Sequence, residues 1–210
     1  MLNTTNRQVK NLVYDFVDKN FYNYFSCHYN ILFKSQFKLS IGVDRKGGYY
    51  IKCNSQFDCS AMQMAGKLIH EYIHCFQLDK RMDLYVSFAN CGEERPSVAC
   101  VEYAYSLLKD FNKTKFKEFV AKYENAFLRK CFLEGMAFYY EIKFLGKDYF
   151  QCEHIINEYI NDFSANNQTR MIPYIVGFIL FLIMDKNNID WQKYVFEENL
   201  SVFDILLTKL

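Results

Sequence analysis

The chain has few residues that interrupt secondary structure, with 2 prolines and 8 glycines among its 210 residues. It also has no internal repeat and no linker rich in Pro, Gly or Ser. Because this length suits one hydrophobic core, we expect a single domain over residues 1–210. Within it, we expect an N-terminal part at 1–59 and a helical part at 60–210.

Net charge is nearly absent as well. Lys plus Arg is 25 and Asp plus Glu is 24, which leaves a formal charge of +1. Such a balance provides no field that would concentrate nucleic acid or anionic lipid, so neither is an expected partner. The 21 Phe and 17 Tyr side chains are not interleaved with basic runs, which favours core packing over base stacking.

Long apolar segments are scarce. Residues 171–184 form a strongly apolar run, but Arg170 and Asp185 bound it. A membrane span needs about 20 such residues, so we interpret the run as a buried core helix. We therefore expect no membrane partner.

The eight cysteines include no CxxC pair, and residues 1–7 lack the apolar stretch of a signal peptide. A structural zinc knuckle and a disulfide framework are therefore disfavoured. We expect reduced thiols that act mainly as small core residues, and a cytoplasmic location. Export without a cleaved signal is compatible with the same features.

Apolar spacing predicts a mainly helical α+β protein. A first helix is expected over 7–29. The segments 37–43 and 49–53 alternate apolar and polar residues around a turn at 44–48, which predicts a β-hairpin. Further helices are predicted near the following segments: 60–79, 96–110, 114–145, 150–162, 170–185 and 200–209.

The segment 68–77 contains HExxH, formed by His70, Glu71 and His74, within an amphipathic helical pattern. On a helix, residues four apart share a face, so both imidazoles can reach one zinc ion. Glu71 then points to the neighbouring space, where a water can be activated.

The polar stripe that carries this motif has two interpretations. It comprises Gln63, Lys67, His70, His74, Gln77 and Arg81. Polar spacing of this kind usually indicates a solvated helix face. The alternative is the wall of a substrate cleft.

A catalytic zinc needs a third protein ligand and an open position. Glu134 is a carboxylate inside an apolar helical run, where an unpaired charge is costly, so we predict that it binds the metal. Glu102 lies in a similar apolar helix and is the rival third ligand, or a residue that orients a histidine. No further histidine motif of the metzincin kind follows His74.

Together these segments resemble the glutamate-zincin (gluzincin) metallopeptidases. The matching pieces are HExxH at 70–74, E-G-x-A at 134–137, and Y-x-x-G at 174–177 continuing to Leu182. The resemblance covers residues from about 60 to 185. It implies a zincin-like fold with a small N-terminal sheet or hairpin, and a helical C-terminal lobe.

The resemblance also implies a zinc cofactor, a peptide or protein substrate, and Glu71 as the general base. Similar peptidases use a downstream Tyr or His to stabilise the oxyanion, which makes Tyr174, His154 and Tyr140 candidates. An edge strand of the small sheet would pair with an extended substrate. Two other functions stay open: a non-catalytic, zinc-stabilised interaction protein, and a zinc hydrolase of a non-peptide amide.

Overall fold

Helices account for most of the protein in this computed structural model, which describes residues 4–24, 28–80, 96–166 and 169–210. The chain divides into two compact units. One comprises Met1–Met82 with Tyr140–Lys147, and the other comprises Asp83–Tyr139 with Asp148–Leu210. The predicted single domain, with its internal boundary near residue 59, stays a prediction.

The first unit begins with helix α1 (Thr4–Phe21), which packs against helix α2 (Ala61–Asp79). Side chains at four-residue intervals along one face of α1 are fully buried: Val9, Val13, Val17 and Phe21. The prediction of a helix to residue 29 was wrong, because α1 ends at Phe21. A turn follows there, in which the Tyr24 amide donates to the Phe21 carbonyl at 2.8 Å.

A three-stranded sheet lies between these helices in sequence. Its strands β1 (Asn30–Phe33), β2 (Ser40–Val43) and β3 (Tyr49–Cys53) have the order β1-β3-β2. Strands β2 and β3 are antiparallel, with Ile41 opposite Ile51, which confirms the predicted hairpin. Strand β1 is parallel to β3 and was not predicted, because its pairing is non-local and its four residues show no distinctive pattern.

The hairpin turn is held by one carboxylate. Asp44 Oδ1 accepts from the Lys46 amide at 2.8 Å and the Gly48 amide at 2.9 Å. These bonds favour the charged carboxylate, so the pKa of Asp44 is below its ordinary value. Gly47 has a φ of +84°, a left-handed conformation that favours glycine at this turn.

Two tyrosines hold the backbone that leads into β1. The Tyr29 amide donates to the Tyr72 hydroxyl at 3.1 Å, and the Tyr14 hydroxyl donates to the Tyr29 carbonyl at 3.0 Å. Tyr72 is a fully buried residue of α2, and Tyr14 belongs to α1. Side chains of two helices therefore position β1.

Helix α2 begins with a capping box. The Gln63 amide donates to the Ser60 hydroxyl at 3.2 Å, and the Ser60 amide donates to Gln63 Oε1 at 3.0 Å. These bonds satisfy backbone donors that a helix N-terminus otherwise leaves without acceptors. The predicted start near residue 60 is confirmed.

The second unit is built from helices α3 to α9, of which α5 also supplies residues 140–144 to the first unit. Their bounds are α3 (Val98–Lys109), α4 (Lys113–Lys122), α5 (Asn125–Phe144), α6 (Tyr149–Asn166), α7 (Ile172–Lys186), α8 (Trp191–Phe196) and α9 (Val202–Lys209). The predicted helix over 114–145 is two helices, because Tyr123 is extended. Its buried ring contacts Phe119 and Phe127, each with centroids 5.1 Å apart, which anchors the break without Pro or Gly.

Helix α7 is the apolar centre of the second unit and packs against α3. Nearly all of its residues before Asp185 are buried, with Tyr174 only partly so. A helix that is apolar on every side belongs in a core, as predicted from the sequence. None of the helices in the described part of the chain combines the length and apolar character needed to cross a bilayer.

Candidate metal centre

His70 and His74 lie one turn apart on α2 and face each other. Their ring centroids are 4.9 Å apart, and their Nε2 atoms are 3.2 Å apart. The i, i+4 spacing on a helix produces this approach directly. His70 is buried, with 9% of its surface exposed, and His74 is half-buried.

The other ring nitrogen of each histidine contacts an acceptor oxygen. His70 Nδ1 lies 3.1 Å from Glu141 Oε2, and His74 Nδ1 lies 2.7 Å from Gln77 Oε1. In the neutral tautomer with its proton on Nδ1, each imidazole can donate to this oxygen. Both Nε2 atoms then carry a lone pair.

Two lone pairs that meet at 3.2 Å repel each other, and a bound cation or an added proton relieves the repulsion. Two nitrogen ligands of a tetrahedral zinc, each about 2.0–2.1 Å from the metal, lie about 3.3 Å apart. The observed separation of 3.2 Å matches this value. The histidine pair therefore fits a zinc ion without rearrangement.

The end of α5 runs antiparallel to α2. A side chain on Gly66 would meet both Leu145 and Glu141, whereas His70, one turn further along α2, contacts Glu141. Positions later in α2 therefore lie beside positions earlier in α5. Glu134 is two turns before Glu141 on the same face of α5, since seven residues complete almost two turns.

Glu134 also belongs to the group of side chains that could hold a metal ion. Ligand atoms of His70, His74 and Glu134 all lie within 4.8 Å of one another. Glu134 is half-buried. Two imidazoles and one carboxylate are a donor set used by catalytic zinc sites, which keep a fourth position open.

Glu71, the predicted general base, is half-buried on α2 between the two histidines in sequence. Burial raises the pKa of the nearby Cys75 thiol to about 12, with further contributions from the charges of Glu71 and Asp79. Cys75 is therefore a neutral thiol at neutral pH.

The polar stripe of α2 is not uniformly solvated. Gln63 and Lys67 are exposed, but His70 is buried and Gln77 has only 5% of its surface exposed. The interpretation as a solvated face therefore fails for the part from His70 to Gln77. Arg81 lies outside the described residues.

The candidate oxyanion donors occupy different settings. Tyr174 is half-buried, and its ring is edge-on to Phe138 with centroids 6.4 Å apart. His154 is exposed on α6 and lies 3.3 Å from Glu158. Tyr140 has no exposed surface and packs against Phe21, so its hydroxyl does not face solvent. The proposed catalytic roles of Tyr174 and His154 stay predictions.

Glu102, the rival third ligand, is exposed on α3. The expectation of a carboxylate embedded among apolar residues was wrong, because Glu102 occupies the polar side of its helix. Among the described residues, the group that could hold a metal ion contains Glu134 and not Glu102. Two further acids between Cys75 and Cys131, Glu93 and Glu94, lie outside the described part of the chain.

The contacts of Glu141 with His70 and of Gln77 with His74 were not predicted from the sequence. Gln77 carried a signal, because it lies three residues after His74 and thus on the same side of α2. The sequence signal for Glu141 was weaker. It lies seven residues after Glu134, which places both on the same face of a helix. Its contact with His70 depends on how α5 packs against α2, which spacing alone does not specify.

Comparison with protein-family models, with curated protein sequences and with solved structures finds no match to this chain.

Proposed function

We propose that this protein is a zinc-dependent metallopeptidase with a zincin-like fold of the gluzincin type. The observation that carries the proposal is the convergence of His70 and His74 Nε2 at 3.2 Å while both Nδ1 atoms contact acceptors. In the tautomer with both protons on Nδ1, this arrangement presents two lone pairs to one point in space. The Glu134 carboxylate supplies a third donor nearby.

Zinc is the proposed metal because its preferred ligands include imidazole nitrogen and carboxylate oxygen in a tetrahedral set. In such a site it polarises the scissile carbonyl and lowers the pKa of a bound water towards neutrality. Glu141 and Gln77 hold the two imidazoles in the orientation that zinc requires, as partners of metal-binding histidines commonly do.

Glu71 is the proposed general base. Its place between two metal-binding histidines in HExxH directs its carboxylate to the space beside the metal. There it accepts a proton from the attacking water and donates it to the nitrogen of the leaving amine. The proposed substrate is a peptide or protein, and Tyr174 and His154 are the candidates for stabilising the oxyanion.

Glu71 also separates this proposal from a non-catalytic zinc protein. A structural zinc site usually closes with a fourth protein ligand and has no use for a base beside the metal. In the described residues, the donor group contains three side chains and leaves Glu71 outside it. This composition favours a catalytic site.

The decisive experiment compares the wild type with Glu71→Gln on a proteome-derived peptide library, with zinc content measured for both. We expect the variant to retain zinc and to lose cleavage by about 10²-fold or more, the scale of general-base catalysis. Glu102→Gln, which changes an exposed glutamate, is the matched control and should cleave like the wild type. Equal cleavage by Glu71→Gln would refute the proposed mechanism.

A further inference from the structure

We propose that Cys53, Cys59 and Met64 form a second metal site, which binds the soft cation Cu(I) at the start of helix α2. All three residues belong to the first compact unit. Met64 precedes His70 by six residues, which on a helix is a rise of about 9 Å and a position about 120° away around the axis. The inference is therefore independent of the proposed zinc centre and of the proposed function.

A contact between two buried sulfur atoms carries the inference. Cys53 Sγ lies 3.6 Å from Met64 Sδ, and the two residues expose 1% and 7% of their surfaces. Two sulfur atoms that each lie about 2.3 Å from one tetrahedral ion, the length of a bond between zinc and sulfur, are about 3.8 Å apart. The two sulfur atoms are thus already near the separation that a shared ion requires.

The cap of α2 brings Cys59 to the same place. Ser60 is the N-cap residue, so Cys59 immediately precedes the cap and Met64 is the fourth residue of the helix. Side chains at these two positions often pack together where a capping box begins a helix. Burial is the main cause that raises the pKa of Cys53, and the charge of Cys59 adds to it, so the two cysteines are neighbours.

The chemistry of the three donors favours Cu(I). Thiolate and thioether sulfur are soft ligands that select this ion. Zinc binds thiolate sulfur too, but its other usual ligands are imidazole nitrogen and carboxylate oxygen. In the described part of the chain, no histidine or carboxylate completes a metal-binding group with Cys53 and Cys59. The thioether of Met64 therefore decides between the two metals.

Binding exchanges protons for the metal. Cu(I) replaces the thiol protons of Cys53 and Cys59, which pass to solvent, and it forms a third bond to the Met64 thioether. Copper stays in the +1 state, so no oxidant or reductant is consumed. The complex carries a charge of −1 at the N-terminus of α2, where the helix dipole stabilises negative charge. Cys59 is partly exposed, which provides a path for the ion.

The test titrates Cu(I) into the full-length, zinc-treated protein without oxygen, in competition with the chelator bicinchoninate. We expect one Cu(I) with only sulfur ligands in its X-ray absorption spectrum. Met64→Leu conserves volume but removes the thioether, and it should weaken binding by about tenfold or more. Met62→Leu changes an exposed methionine of the same helical turn and is the matched control, with wild-type affinity expected.

A second variant removes a thiol. Cys59→Ser changes a partly exposed residue, so the fold should persist, and the affinity for Cu(I) should fall by at least about 10–100-fold, because a direct ligand contributes more than a partner of a ligand. Cys152→Ala, which changes a buried cysteine of α6, is the control and should bind like the wild type. Circular dichroism verifies that each variant folds.

The remaining outcomes have defined meanings. If Met64→Leu binds Cu(I) like the wild type, Met64 is not a ligand, the sulfur contact is ordinary core packing, and the inference is overturned. Nitrogen ligands in the X-ray absorption spectrum, or no binding by the wild type, would overturn it as well. If the wild type binds Cu(I) through sulfur but retains no zinc, this inference stands and the proposed function is what fails.

Discussion

Gly135 on α5 and Gly177 on α7 bring the backbones of two helices into direct contact. A Cβ atom added to Gly177 would lie 2.6 Å from the Gly135 Cα and would overlap the Cys131 carbonyl oxygen even more closely. A Cβ atom on Gly135 would overlap the backbone of Gly177. Both positions therefore require glycine, and the crossing holds the part of α5 that carries Glu134.

This contact also gives a physical reason for two of the sequence segments. Gly135 comes from the E-G-x-A segment and Gly177 from the Y-x-x-G segment. They are far apart in the sequence but are in contact in the structure. Both glycines belong to segments that resemble those of the gluzincins. The structure shows that they serve helix packing in the second unit.

We predict that Gly135→Ala and Gly177→Ala destabilise the protein strongly, because the added methyl meets backbone atoms that cannot rotate away. Overpacking typically costs about 1–3 kcal/mol. For a chain of this size, that cost lowers the Tm by about 2–12 °C, and an overlap with backbone atoms can lower it further. Thermal denaturation followed by circular dichroism measures it.

Gly66→Ala is the matched control for these two variants. Its added Cβ would lie 3.5 Å from the Leu145 side chain, an ordinary contact, and alanine favours a helix by about 0.5–1 kcal/mol over glycine. The Tm of this variant should stay level or rise. Equal destabilisation at all three positions would contradict the packing argument.

The second prediction concerns zinc content. The purified wild type should hold about one zinc per chain after reconstitution at neutral pH, since a single set of His, His and Glu donors is predicted. His70→Ala and His74→Ala should each abolish retention, as measured by elemental analysis. His28→Ala removes a histidine that instead contacts Asp18 at 2.7 Å, and it should retain the metal. Negligible zinc in the wild type would mean that the HExxH motif is accidental.

The third prediction separates two glutamates. Glu134→Ala should lose zinc to a mild chelator, because two histidines alone hold the metal too weakly. Glu102→Ala removes an exposed carboxylate and should keep an affinity within about tenfold of the wild type, less than the loss of a direct partner of a ligand causes. Parallel zinc titrations measure the two affinities, and circular dichroism verifies that both variants fold. If Glu102 were the ligand, Glu102→Ala would bind zinc more weakly than Glu134→Ala.

The fourth prediction concerns thiol reactivity. Burial is the main cause that raises the pKa of Cys53 to about 11, and the charge of the neighbouring Cys59 is a smaller one. At pH 8, about one Cys53 thiol in a thousand is therefore ionised. Cys59 is partly exposed. Iodoacetamide should therefore modify Cys53 at least about tenfold more slowly than Cys59 in the native protein, as peptide mapping by mass spectrometry can show.

Denaturation is the control for the thiol experiment. In urea both cysteines are solvated, and their rates of modification should converge. Equal rates under native conditions would instead indicate that strand β3 opens readily, since Cys53 has only 1% of its surface exposed.

Much of the fold followed from local pattern. The helical pattern from Ser60 marks the start of α2, the alternation around Asp44 marks the hairpin, and the continuous apolar run marks α7. The break at Tyr123 was missed, because it depends on a ring that packs on both sides of it and not on Pro or Gly. Strand β1 was missed for a related reason, since its partners Tyr14, Tyr72 and β3 come from distant parts of the chain.

For the candidate site, the sequence by itself determined the face shared by His70 and His74 and the position of Gln77 beside it. Helical geometry over three or four residues is sufficient for both, because the relevant distances lie within one helix. Only the tertiary structure shows that Glu141 contacts His70, and that Glu134, not the exposed Glu102, belongs with the two histidines to a group that could hold a metal ion. Those relationships depend on the register of α5 against α2, and many registers are compatible with the same apolar spacing until the side chains pack.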